Sequence, residues 1–128
     1  MAFLKTATNP TTGEEITAYH RVATVNTSPA EKRAHVEVLI YLSQAASEAA
    51  KSNSAIRPIG VRVFDVNDTR MVETGEVDAE GNPVMVSAGD YTSHWGIEVQ
   101  SAEGNNAVKA AYEYIGGLEE FADKVDAL

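Results

Sequence analysis

Two stretches decide the fold: Ile16-Thr17-Ala18-Tyr19-His20-Arg21-Val22-Ala23-Thr24-Val25 and Ala34-His35-Val36-Glu37-Val38-Leu39-Ile40-Tyr41-Leu42. Both are rich in β-branched and aromatic residues and both alternate with a period of two, which marks strands. In the second, Ala34, Val36, Val38, Ile40 and Leu42 share one face, so that face belongs to a core, while His35, Glu37, Leu39 and Tyr41 make a partly wet one. In the first, neither face is purely apolar, and contacts are expected on both sides. The polar link Ser28-Pro29-Ala30-Glu31-Lys32-Arg33 joins the two into one extended β-hairpin. A turn centred on Ala30 sets His20 opposite Ile40 and His35 opposite Val25.

Working outward, Pro10 and Gly13 supply turn chemistry between a short strand near Phe3-Leu4 and the strand from Ile16. Ser43 to Ser54, with Ala45, Ala46, Ala49 and Ala50, weakly favours a short helix. Ile59-Gly60-Val61-Arg62-Val63-Phe64-Asp65-Val66 alternates as a further strand. Arg70–Val77 and Pro83–Val86 flank the turn Asp78-Ala79-Glu80-Gly81-Asn82 as a second hairpin. Ser87 to Gln100 carries no decisive period. Asn105 or Asn106 caps a helix from near Ala107, with Val108, Ala111, Tyr112 and Ile115 as its apolar stripe and Gly116-Gly117 as its stop. A last turn or two, Leu118 to Leu128, places Leu118, Phe121, Ala122 and Val125 on one side. Strands come first and helix last. The expected class is therefore α+β: an antiparallel β-rich sheet, or a small barrel or sandwich, with a C-terminal helix. Residues 1–128 read as one domain whose helical segment covers about 106–128.

Composition narrows the function classes. The chain has 128 residues, 44% of them hydrophobic, which is ordinary for a folded domain. No apolar run approaches the roughly 20 residues of a membrane-spanning helix, and no secretory h-region is visible near Met1, so neither membrane insertion nor a signal peptide is expected. Without cysteine there is neither disulfide nor thiolate metal site. Nineteen acidic against ten basic residues give a net charge of −9, and no Lys/Arg cluster offsets it, which disfavours nucleic acid as a partner. The acidity concentrates between Asp65 and Asp90.

Motifs for chemistry are sparse. His20, His35 and His94 show none of the spacings that hold a metal. Asp65, Asn67, Thr69 and Glu76 fall at the first, third, fifth and twelfth positions of a calcium loop, but Arg70 stands where the sixth position needs glycine. Asp90, Ser93 and His94 have the residue types of a triad, yet triads are assembled from distant segments. No catalytic, cofactor or metal residue is assigned. The amphipathic groups remain: Tyr19, Arg21, Tyr41, Trp95 and Tyr114 are the candidate interface residues, with ordinary core packing the competing account of the rings.

Ala18-Tyr19-His20-Arg21-Val22, Val36-Glu37-Val38 and the tail Ala110-Ala111-Tyr112-Glu113-Tyr114-Ile115-Gly116-Gly117-Leu118-Glu119-Glu120-Phe121-Ala122-Asp123 resemble small tail-associated proteins of tailed bacteriophages. In that family a strand with Tyr-His-Arg precedes a second long strand, and an Ala-Tyr-x-Tyr helix leads into a Leu-Pro-Glu-Phe-like segment. Here Glu119 stands in place of that proline, and Ser43–Ser54 is a local elaboration. The resemblance implies a non-enzymatic virion component of the tail tip, baseplate or fibre-attachment region. It would be assembled in the host cytoplasm, contact other tail proteins and repeat as a homo-oligomer. A protein-binding module outside the virion and a small enzyme without a motif are the alternatives.

Overall fold

The computed structural model describes residues 2–127. Its centre is the expected hairpin. Strands β1 (Ala2–Thr8), β2 (Glu15–Ser28), β3 (Arg33–Tyr41), β4 (Gly60–Asn67) and a short final strand build one antiparallel sheet. That last strand, Val125–Ala127, is labelled β7, and the sheet order is β4-β3-β2-β1-β7. Strands β5 (Met71–Val77) and β6 (Pro83–Ser87) form a separate two-stranded ribbon. Helix α1 (Gln44–Ala50), the single turns α2 (Thr92–Trp95) and α3 (Ile97–Gln100), and helix α4 (Ala107–Gly116) complete the α+β architecture. The sheet is open rather than a barrel. No helix among the described residues is long and apolar enough to cross a membrane.

Alternation along β2 and β3 separates two cores. Ala34, Val36 and Val38 of β3 face Val22, Val25, Phe3, Phe64 and Val66 on one side, beneath Ala111, Tyr112 and Ile115 of α4 and the buried Trp95. Leu39 and Tyr41 point the other way, with Tyr19, Ala2 and Leu4, under Ala46 and Ala50 of α1. The mixed faces of β2 follow from this: Ala18, Tyr19 and His20 are consecutive and all buried, because the strand has apolar cover on both sides.

His20 lies opposite Ile40 as expected, but His35 lies opposite Asn26 rather than Val25. The register slips by one residue between Val22 and Thr24, where β2 carries a bulge. The slip turns both Val22 and Val25 toward the α4 side, which an unbroken strand could not do. The Val22 N–H donates to the Tyr112 hydroxyl at 2.9 Å, so a side chain of α4 satisfies the backbone beside the irregularity.

Helix α4 begins at the Asn106 cap, whose side chain accepts from the Lys109 N–H, and ends at Gly117. Its buried face is broader than the expected stripe: Ala110 is buried, and Ala107 and Tyr114 pack against the core, as does Leu118 just beyond the helix. Val108, expected on the stripe, is instead 47% exposed. The tail departs further from expectation. After Gly117 a 3₁₀ turn, Glu119–Phe121, buries Phe121 but leaves Ala122 exposed, and the chain then becomes β7 rather than helix. Pairing with β1 (Leu4 with Val125, Phe3 with Asp126) supplies the backbone hydrogen bonds that a helix would have made internally. Leu128, the end of the expected helical tail, lies outside the described residues.

Candidate interaction site

The five candidate interface residues fall into two groups on opposite sides of the sheet. Tyr19 and Tyr41 are a directly opposed pair in the core under α1, and both are buried. Arg21 is half-buried; its Nη2 donates to the Tyr41 hydroxyl at 3.4 Å and its guanidinium lies 5.6 Å from the Tyr41 ring centre. Its Nε has no hydrogen-bond partner. Trp95 is buried on the other side, with Nε1 donating to the Ala107 carbonyl at 3.1 Å. Tyr114, read from the sequence as lying off the α4 stripe, packs its ring 5.9 Å from Trp95 and 5.4 Å from His94. The three buried rings therefore serve cores, and Arg21 and Tyr114 keep partial exposure.

The titratable candidates are bound into structure. His20 is buried with Nδ1 donating to the Ala18 carbonyl, and its ring edge meets Phe121 at 5.8 Å. Burial holds its pKa below the ordinary histidine value, and the nearby charges of Lys5 and Arg62 push the same way. His35 Nδ1 is 2.9 Å from Asp65 Oδ1 across β3 and β4. His94 Nδ1 donates to the Asp90 carbonyl, while the Asp90 carboxylate faces Arg70 instead. Asp90 and His94 thus do not form the carboxylate–imidazole bond of a triad.

The acidic segment that mimics a calcium loop has another task. Asp68 accepts from the Tyr91 and Thr92 N–H groups and from the Thr92 hydroxyl, and that hydroxyl bond above all lowers its pKa. Asp68, more than twenty positions away, thus satisfies the first N–H groups of α2. Among the described residues no group of three or more His, Asp or Glu side chains is placed to hold a metal.

Asp68 also stands at the root of the most unusual feature, the β5–β6 ribbon. Arg70 grips Asp90 through two bonds of 3.0 and 2.9 Å, Ala88 N–H donates to the Arg70 carbonyl, and the Ser87 hydroxyl donates to the Asp68 carbonyl. Beyond this fixed root the two strands pack on each other and extensively on no other described element. At the tip Asp78 Oδ1 accepts from the Glu80 and Asn82 N–H groups, and Gly81 takes the left-handed φ of 85° that the turn requires. Met71, Val77, Met85 and Val86 are all more than two-fifths exposed. From Met71 to Gly89 the charged residues are Glu73, Glu76, Asp78 and Glu80, without one base.

Beside the root, between the β2–β3 turn and the α2–α3 segment, lies a cleft of about 330 Å³. Tyr91, Trp95 and Val99 contribute apolar walls, Ile97 is 81% exposed, and Lys32 and Glu98 bring charge. The sequence had pointed to Trp95 but not to the cleft, because Pro29 and Lys32 meet Trp95 only after the sheet has formed.

No known family, no curated protein and no solved structure matches this chain.

Proposed function

We propose that the chain is a non-enzymatic assembly component of a tailed-phage or prophage virion, tail-associated, acting through protein–protein interfaces. The observation that carries this is the β5–β6 arm. A two-stranded hairpin is marginally stable by itself in water, and this one leaves valine and methionine side chains in solvent on a rigid root. Such an element gains its stability from a partner surface. The resemblance adds the kind of partner; of the segments that carry it, β2 meets α4 at Val22, whose N–H donates to the Tyr112 hydroxyl. Repetition around a tail axis would use the arm once per copy. The four carboxylates of the arm suit a protein partner rather than a nucleic-acid one.

A binding module working outside a particle would use the same arm, and one measurement separates the two. Tailed particles purified from a culture expressing the chain should contain it at a fixed stoichiometry by quantitative mass spectrometry. A chain absent from such particles and recovered only in other fractions overturns the virion reading.

A further inference from the structure

The arm offers exposed valine and methionine with carboxylates, and the cleft offers apolar walls with a lysine. Val77, at the end of β5, is 68% exposed, and neighbouring Glu76 and Glu80 have no ion-pair partner among the described residues. Lys32 is the cation lining the cleft; its side chain has no ion-pair partner among the described residues, and its charge acts at longer range on Asp68. Its backbone sits at φ 51°, a left-handed conformation rare outside glycine, so the turn presents it at some conformational cost. Glu98 lines the cleft as well, but next to Ile97 the floor is apolar, formed by Tyr91 and Trp95.

Reach decides the occupant. Tyr91 and Thr92 of the cleft wall are hydrogen-bonded to Asp68 at the root of the arm. Val77 is seven residues beyond Arg70 on β5, at most roughly 20 Å away at about 3.3 Å per residue, with a bulge at Gly75 between Glu73 and Val77. The Arg70–Asp90 pair holds the root, and no residue of the arm lines the chain's own cleft. We propose that the Val77 end of the arm docks into the Tyr91–Trp95–Ile97 cleft of a second copy, with Glu76 or Glu80 meeting Lys32. This names the contact of the assembly reading above and rests on it. Arm and cleft are different surfaces, so the contact is heterologous and propagates into a ring or an open filament. A single plug is well below the ~1,600 Å² of a standard interface, so one pair is weak and ring closure supplies avidity.

The test uses the full chain with Val77→Asp and Ile97→Asp, both at exposed positions where folding, checked by circular dichroism, is unaffected. In sedimentation velocity each variant alone should lose self-association by tenfold or more. Their equimolar mixture should recover a dimer that grows no further, because one partner keeps an intact cleft and the other an intact arm. Lys32→Glu should weaken association, and adding Glu76→Lys with Glu80→Lys should restore it. Variants that associate like the wild type overturn the contact, as does a wild type that stays monomeric at about millimolar concentration. The particle measurement is independent: a chain found in tailed particles keeps the assembly reading even if this contact fails.

Discussion

Tyr112 and His20 show how much single side chains decide here. The Tyr112 hydroxyl accepts from the Val22 N–H next to the bulge, and burial raises its pKa above the ordinary tyrosine value. Tyr112→Phe preserves the ring but strands a part-buried donor, which should cost about 1–3 kcal/mol in urea unfolding. A cost within error of zero would show that water reaches Val22 instead. His20 sets a pH dependence. Its folded pKa lies below the ordinary 6.5, so as pH falls below about 6.5 the unfolded chain takes up a proton that the fold refuses. Stability from this group is complete above pH 6.5 and declines as pH drops toward the folded pKa, by at most about 1.4 kcal/mol per pH unit. Relative to wild type, His20→Phe should flatten the stability profile below pH 6.5; parallel profiles would mean that the ring titrates normally in the fold.

Among the elements, β3 is where sequence and structure agree best. Val38 is 2% exposed in the middle of it. Val38→Asp should abolish cooperative folding or cost about 4 kcal/mol or more, since a carboxylate there has no partner; a normal thermal transition would refute the strand's placement. Strands β2 to β4, the β5–β6 turn and the caps of α4 were legible because each depends on neighbours within a few residues: alternation, Asp78 and Gly81, Asn106 and Gly117. What was not legible depends on distant ones. Tyr112 bonds the backbone beside the slip near Ala23, Asp68 caps α2, and β7 pairs with the edge of β1, which no pattern in Val125-Asp126-Ala127 announces. The burial of three interface candidates was hidden for a similar reason. A tyrosine or tryptophan declares its size and its polar tip, but which side of the sheet receives it is fixed by register, and so Tyr19, Tyr41 and Trp95 are core.

On the scale of the whole molecule, the sheet is a partition. Its hydrogen-bonded backbone lies between the cluster under α4 and the cluster under α1, and among the described residues no buried side chain belongs to both. Defects on the two sides therefore lack a shared cavity through which to communicate. Ile115→Val, under α4, and Tyr41→Phe, under α1, should combine with an interaction energy within about 0.5 kcal/mol of zero in a double-mutant cycle. A larger coupling would mean that the strands shift as a body when either side is loosened. With additivity, one side of the chain is free to drift in sequence while the other holds still, two evolutionary clocks on a single sheet.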